Sequence, residues 1–166
     1  MLPSGKVGAP CHVLEYPDWV EVIALTADGD IVLVEQYRHA MRRVQLEFPA
    51  GVIDGDEPPL SAMKRELAEE TGYAADDWRL IGVAPVYPAL QTNRFYSYLA
   101  LGARKVADQA LDEGESIQVR KMPWPAFLQG IESGAIDLPA LQLASLHSLH
   151  AFMRRSTDPT LAALRP

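Results

Sequence analysis

GVIDGDEPPLSAMKRELAEETGY, residues 51–73, is the segment from which most of the architecture of this chain can be predicted. It holds four glutamates close together, at Glu57, Glu66, Glu69 and Glu70. Carboxylates that lie side by side raise one another's pKa and resist ionisation. A divalent cation relieves this repulsion, because such cations prefer hard oxygen ligands. The segment therefore indicates a metal site.

A helix is predicted to open at Pro58-Pro59 and to run to about Thr71, because prolines fit the start of a helix and Gly72 fits its C-terminal end. On this helix Glu66, Glu69 and Glu70 stand at positions i, i+3 and i+4 and share one face. The apolar residues of another face are Leu60, Met63 and Leu67. Three glutamates on one stripe would destabilise a helix that is merely solvated. A charged, solvent-exposed face remains the alternative interpretation.

Length and composition predict one globular domain over residues 1–166, with an extended lead-in over 1–17 and a loose tail over 157–166. Hydrophobic residues make up 48% of the chain, which is ordinary for a globular protein. The 15 Lys and Arg against 22 Asp and Glu give a formal charge of −7, which argues against nucleic-acid and anionic-membrane partners. No apolar run has the length of a membrane span, and the start lacks the apolar core of a signal peptide. The single cysteine, Cys11, excludes an internal disulfide, so we expect a cytoplasmic protein.

The predicted elements follow a mixed order of strands, one helix, more strands and then helices. Predicted strands cover residues 19–26, 31–38, 44–48, 79–87, 93–101 and 117–122. Predicted helices after the first one cover residues 124–133 and 138–155. Residues 28–30 read Asp-Gly-Asp and predict a hairpin turn between the first two strands. This order favours an α/β fold with a mixed sheet over an all-parallel sheet.

The spacing of the fixed residues in segment 51–73 resembles a complete Nudix box. The matching residues are Gly51, Glu57, Arg65, Glu66, Glu69, Glu70 and Gly72, with Leu67 and Tyr73 in the apolar places. The resemblance implies a Nudix α/β/α sandwich with a mixed β-sheet. It also implies Mg²⁺-dependent hydrolysis of a nucleoside diphosphate linked to another moiety, with Mn²⁺ as an alternative ion.

The same resemblance implies a role for each residue of the box. The metal ligands would be Glu66, Glu69 and Glu70, joined by the backbone carbonyl of Ala50. Arg65, Glu57 and Gly51 would lie around these ligands, and Arg65 and Glu57 would orient the glutamates. Glu69 and Arg65 also belong to the predicted catalytic set. Bound ions could activate a water molecule and neutralise the leaving phosphate.

The flanks of the box resemble those of ADP-ribose and related nucleotide-sugar pyrophosphatases. Residues 36–38 read Gln-Tyr-Arg and residues 47–51 read Glu-Phe-Pro-Ala-Gly. The implied substrate-binding residues are Arg38, Glu47 and Pro88. A guanidinium group can hold phosphate oxygens in bidentate fashion. For Arg38, a structural salt bridge at the end of a strand is the alternative.

Residues 111–119 resemble the loop that carries a late glutamate in these enzymes. By that resemblance Glu113 is the predicted general base and Glu115 is a further metal-binding or water-binding carboxylate. The assignment within this pair stays open, and a charged turn before a strand is the alternative for both residues.

The N-terminus departs from the pattern of many ADP-ribose hydrolases, which resemble one another in an added N-terminal β-domain. The short lead-in of this chain leaves the binding of the base open and is compatible with a broader range of nucleotide sugars. The resemblance implies a homodimer and a small-molecule substrate. Alternatives are a Nudix hydrolase for NADH or coenzyme A, and a Nudix-fold ligand sensor without turnover. The full set of box carboxylates argues against the sensor.

Overall fold

The computed structural model describes residue 5 and residues 10–164, which form one sheet with helices on both faces. The strands are β1 (Trp19–Thr26), β2 (Asp30–Arg38), β3 (Arg43–Glu47), β4 (Ala50–Val52), β5 (Tyr73–Ala74), β6 (Asp77–Pro85), β7 (Arg94–Lys105) and β8 (Ile117–Pro123). The helices are α1 (Pro59–Thr71), α2 (Trp124–Glu132) and α3 (Ala140–Arg155), followed by a 3-10 helix over Pro159–Leu164. No helix among the described residues is both long and apolar enough to cross a membrane.

The sheet is mixed, as predicted from the order of the elements. Its main path runs β3-β2-β1-β7-β5, while β4 pairs with β1, β6 with β7 and β8 with β2. The central strands β1 and β7 are parallel, and the other strand pairs described are antiparallel. The predicted hairpin between the first two strands is confirmed, with Ala24 opposite Val32.

Two apolar layers cover the two faces of the sheet, because successive side chains of a strand point to opposite sides. On one face, Val22 of β1 belongs to a buried cluster with Met63 and Leu67 of α1. On the other face, Ile23 belongs to a cluster with Phe127 of α2 and with residues of α3. Together these layers form the predicted α/β/α sandwich.

Two short strands were not predicted, and the limits of two others differ by two residues or more. β4 and β5 contain three and two residues, which is too short for an alternating pattern to show in the sequence. The predicted strand 79–87 begins earlier, at Asp77, and ends at Pro85. The predicted strand 93–101 continues to Lys105, where β7 pairs with β5.

The prediction of a loose tail over 157–166 is wrong for the part that the structure describes. Residues 159–164 form the 3-10 helix, and Leu161 is fully buried against the α2 and α3 layer. The indole nitrogen of Trp124 donates a hydrogen bond to the carbonyl oxygen of Leu164 at 3.1 Å. The free energy gained by burying apolar side chains such as Leu161 therefore orders this segment, although its prolines suggested a loose tail. Residues 165–166 lie outside the described residues.

The lead-in over residues 1–17 is described only at residue 5 and over residues 10–17, where the backbone contains one isolated bridge and no helix. In this bridge the Leu14 amide donates to the carbonyl oxygen of Leu90 at 2.8 Å, and the Thr92 amide donates to the carbonyl oxygen of Leu14 at 3.2 Å. The described part of the lead-in is therefore attached to the loop between β6 and β7.

Candidate active site

Arg65 connects the carboxylates of the box. Its Nη1 donates to Glu66 Oε1 at 2.9 Å and to Glu69 Oε2 at 3.0 Å. Its Nη2 donates to Glu57 Oε2 and to the carbonyl oxygen of Val52, each at 3.1 Å. Because a guanidinium group is planar, one side chain fixes the relative positions of three glutamates and of β4. The structure thus brings together the residues that the box pattern grouped.

Glu70 lies beneath the surface of the site and is only 4% exposed. Its Oε2 accepts a hydrogen bond from the backbone amide of Ala50 at 3.0 Å. The pKa of Glu70 is raised to about 8, first by burial and then by the charges of Glu66 and Glu115. The Ala50 amide and the charge of Arg38 act in the opposite direction. Glu70 is therefore a carboxyl group that a nearby cation would ionise.

The carboxylate of Glu66 lies directly against the backbone of Gly51. A Cβ atom built on Gly51 would stand 2.0 Å from Glu66 Cδ, so only glycine allows this approach without displacing the glutamate. Burial raises the pKa of Glu66, although the charge and the hydrogen bond of Arg65 lower it. The role of Gly51 is thus to leave room for a partly buried acidic group.

A groove of about 290 Å³ lies beside these residues. Its acidic lining comes from Glu66 and Glu70 on α1, from Asp54, and from Asp112 and Glu115 in the loop before β8. Glu69, which is bound to Arg65, is not part of the lining, and neither is Glu113, which is exposed in the turn over residues 112–115. Of the two late glutamates, Glu115 is the one that the fold brings to the groove.

The loop that carries Glu115 is held against the C-terminal end of α1. The amide of Ala110 donates to the carbonyl oxygen of Glu69 at 2.9 Å. Gln109 Nε2 donates to the carbonyl oxygens of Glu70 at 2.6 Å and Ile117 at 3.1 Å. The bonds to Glu69 and Glu70 satisfy carbonyls at the end of α1 that have no partner within the helix. Sequence reasoning missed Gln109, since nothing in its local sequence indicates this contact.

Arg38 stands between the groove and a second, larger cavity. Its Nε donates to Glu47 Oε1 at 2.8 Å, and its Nη2 forms an ion pair with Glu47 Oε2. Glu47 is only 3% exposed, and its hydrogen bonding raises the pKa of Arg38 above its ordinary value. Glu47 therefore positions Arg38 at the end of β2. Pro88, the third predicted substrate-binding residue, is exposed in the loop between β6 and β7 and lines neither cavity.

The second cavity, called the cleft below, has a volume of about 590 Å³ and lies between β1 and the start of α3. It shares Trp19, Arg38 and Ala50 with the groove. Its lining includes Glu21, which is 1% exposed and whose two carboxyl oxygens have no hydrogen-bond partner. Burial raises the pKa of Glu21 to about 8, an effect that the nearby Ser145 hydroxyl partly offsets.

Sequence reasoning missed Glu21 as well, although a signal was present. Side chains at alternate positions of a strand share one face of the sheet, and in β1 the set is Trp19, Glu21, Ile23 and Leu25. A carboxyl group interrupts an otherwise apolar set. Such an interruption indicates either a buried polar contact or a binding group.

The donor chemistry of the groove fits a divalent cation such as Mg²⁺. Carboxylate and carbonyl oxygens are its preferred protein ligands. Glu66 and Glu115 raise the pKa of Glu70, so the groove concentrates negative charge that a cation would neutralise. Among the residues that the structure describes, no three His, Cys, Asp or Glu side chains already stand in a metal-binding arrangement. Arg65 instead engages Glu66 and Glu69, which would have to turn towards an ion.

Comparison with known proteins agrees with this geometry. A protein named methanol dehydrogenase activator from Bacillus methanolicus is 32% identical over 136 residues, which is 81% of this chain and 73% of that protein. A protein named ADP-ribose pyrophosphatase from Mycobacterium tuberculosis (strain ATCC 25618 / H37Rv) is 37% identical over 160 residues, which is 95% of this chain and 76% of that protein.

The solved structure of an ADP compounds hydrolase superposes with a TM-score of 0.71 at 20% identity, over 82% of this chain and 72% of that one, which shows a shared fold. A family model described as the NUDIX domain matches residues 16–158. This match covers most of the chain and includes the Arg65-centred carboxylates, the groove and Arg38. The predicted family is therefore confirmed, and this chain belongs to the Nudix family.

Proposed function

We propose that this Nudix protein hydrolyses the pyrophosphate bond of ADP-ribose or a related nucleoside diphosphate sugar in the presence of Mg²⁺. The products would be a nucleoside monophosphate and a sugar phosphate. The observation that carries this proposal is the acidic groove beside Arg38. It provides oxygen ligands for a cation and a guanidinium group for phosphate in one place. A relative named ADP-ribose pyrophosphatase supports the substrate class.

The glutamates of the box, Arg65 and Arg38 have separate tasks in this reaction. Glu66, Glu69 and Glu70, with the carbonyl oxygen of Ala50, would hold Mg²⁺, which when bound neutralises phosphate charge and makes a water molecule more acidic. Arg65 would orient Glu66 and Glu69 beside the metal site before they turn towards the ion. Arg38, fixed by Glu47, would attract the negatively charged phosphates towards the groove.

The proton of the attacking water requires a base within reach. We assign this role to Glu115 because it lines the groove, whereas Glu113 does not. The two glutamates form a matched pair for a test. We expect Glu115→Gln to lower kcat by about a hundredfold or more and Glu113→Gln to leave it within a few-fold of the original value. A large loss of kcat in Glu113→Gln and a small one in Glu115→Gln would instead identify Glu113 as the base, as the sequence resemblance implied.

The direct test is the release of AMP from ADP-ribose with Mg²⁺, measured beside a panel of nucleotide sugars, NADH and coenzyme A. Hydrolysis of ADP-ribose or a nucleotide sugar would support the proposal. The proposal would be refuted if neither ADP-ribose nor any nucleotide sugar were hydrolysed. Hydrolysis of NADH or coenzyme A alone would support the alternative substrate class.

The metal assignment has its own test in Glu70→Gln. We expect kcat to fall by about three powers of ten or more, because the variant removes a carboxylate that would hold the cation in the transition state. Glu132→Gln is the control, since Glu132 is exposed on α2 and lies outside the groove. Full activity of Glu70→Gln would contradict the assignment. Replacing Mg²⁺ by Mn²⁺ should retain activity.

The proposal also includes the finer expectations from the sequence: a homodimer, a cytoplasmic location, and a small-molecule partner without nucleic acid or membrane. Light scattering at several protein concentrations would measure the oligomeric state. A monomer with full activity would remove the dimer from the proposal without affecting the chemistry.

A further inference from the structure

Glu21 is a buried carboxyl group that the reaction described above does not use. It lies on the face of β1 that packs towards α3, and it stands opposite Ser97 of β7. The Ser97 hydroxyl is already engaged with that of Ser145, with 2.6 Å between the two oxygen atoms. A buried carboxyl group without a hydrogen-bond partner costs free energy, so Glu21 would gain from a ligand group that donates a hydrogen bond to it.

The other charged and amide side chains that line the cleft have protein partners. Arg38 pairs with Glu47, and Arg43 pairs with Asp137. The amide of Gln142 binds both backbone groups of Phe48, accepting from its amide at 2.8 Å and donating to its carbonyl at 3.2 Å. Gln45 donates to the backbone carbonyl of Asp137. Among the ionisable groups of this lining, Glu21 is thus the one whose carboxyl oxygens have no protein hydrogen-bond partner.

The walls around Glu21 favour a flat, largely apolar ligand. Trp19 and Phe95 are adjacent in the register of β1 and β7 and stand on one side of the cleft. Leu138, just before α3, and Leu141, in its first turn, stand on the other side. Sugar hydroxyls placed between such walls would lose water without gaining partners. A ring system would instead cover the apolar surface with its faces and leave its polar edge for the carboxyl group.

The position of the cleft fits one end of the proposed substrate. The cleft and the acidic groove share Trp19, Arg38 and Ala50, so one ligand can occupy both. If the pyrophosphate lies beside Arg38 in the groove, one of its two substituents enters the cleft. A volume of about 590 Å³ is within the usual range of nucleotide-sized pockets.

We propose that the cleft binds the purine base of the nucleotide and that Glu21 hydrogen-bonds to the amino group on the edge of this base. This rests on the proposed function for the identity of the ligand, and it adds the part of the substrate that the cleft recognises. Adenine and guanine both present an amino group as a donor for a carboxyl oxygen. The other substituent, the sugar, would then lie on the opposite side of the groove.

The test uses binding of nucleoside monophosphates in the presence of Mg²⁺, because these ligands contain no pyrophosphate bond to hydrolyse. AMP, GMP and purine riboside 5′-monophosphate share the ribose phosphate and the purine ring. Purine riboside lacks the amino and oxo groups of the edge. We expect the original protein to bind AMP or GMP about tenfold more tightly than purine riboside 5′-monophosphate in calorimetry.

Glu21→Leu should remove this preference, so that all three ligands bind with the weaker affinity. Its melting temperature should be unchanged or higher, because leucine fits the apolar set formed by Trp19, Ile23 and Leu25. Glu132→Leu, which makes the same exchange at an exposed site, should retain the preference. If Glu21→Leu does not fold, equal affinity of the original protein for the three ligands would still overturn the proposal.

Two results would overturn the proposal: equal affinity of the original protein for all three ligands, or a Glu21→Leu variant that still prefers AMP or GMP. Neither result depends on catalysis. A protein that hydrolyses no nucleotide sugar but recognises the amino edge through Glu21 would refute the proposed function and leave this inference standing. A protein that hydrolyses nucleotide sugars but binds all three monophosphates equally would support the proposed function and refute this inference.

Discussion

At the scale of single residues, Gly51 controls where the Glu66 carboxylate can lie. In Gly51→Ala the new Cβ would meet Glu66 Cδ at 2.0 Å, so the flexible glutamate would have to move. We expect only a small loss of stability but an increase of about tenfold or more in the Mg²⁺ concentration needed for half-maximal activity. Activity measured against Mg²⁺ concentration, together with the melting temperature, checks this prediction.

A double-mutant cycle shows whether Gly51 acts through Glu66. If the methyl group acts by moving this carboxylate, Gly51→Ala should cost little in a background that already carries Glu66→Ala, because that background has no carboxylate to displace. Equal losses in both backgrounds would show that the methyl group acts on something other than Glu66.

At the scale of elements, Gly72 joins α1 to the loop that carries Glu115. Its φ of 72° lies in the left-handed region, and its carbonyl oxygen accepts hydrogen bonds from the amides of Val106 and Ala107. A Cβ on Gly72 would stand 2.2 Å from the backbone oxygen of Ala107, which cannot turn away as a side chain can. The C-terminal end of α1 and the loop that carries Glu115 therefore hold each other in position.

We expect Gly72→Ala to lower the free energy of unfolding by about 2 kcal/mol or more, from left-handed strain and the clash together. The control is Gly29→Ala, which has φ of 84° and no atom within 4 Å of the new Cβ. It should cost about 1 kcal/mol, from the strain alone. Urea denaturation of both variants measures the difference in the free energy of unfolding. Equal losses would mean that the backbone at Ala107 moves aside at no cost in free energy.

At the scale of the whole molecule, the C-terminal 3-10 helix completes one apolar layer. Leu161 is fully buried there, so Leu161→Ala should lower the free energy of unfolding by about 2–5 kcal/mol. Leu143→Ala is the matched control, because Leu143 lies on α3 but is 44% exposed, and it should cost less than about 1 kcal/mol. A Leu161→Ala variant as stable as the control would restore the loose tail that the sequence suggested.

The sequence by itself determined the features that depend on local spacing. The i, i+3 and i+4 positions of Glu66, Glu69 and Glu70 become one helix face whatever surrounds the helix, because the helical repeat is fixed. The same holds for the hairpin of β1 and β2, whose turn residues and alternating pattern are adjacent in the chain. The Nudix family followed from this local pattern as well.

Only the tertiary structure decided which distant residues complete the site. Glu115 reaches the groove because Gln109 and its neighbours bind the end of α1, and the cleft exists because β1 lies beside β7 and faces α3. The parallel pairing that places Glu21 opposite Ser97 joins segments far apart in the chain. Local propensity does not encode such pairings, because their free energy arises from burial shared among many elements. For this reason the carboxylates of the box could be read from the sequence, while the surroundings of Glu21 could not.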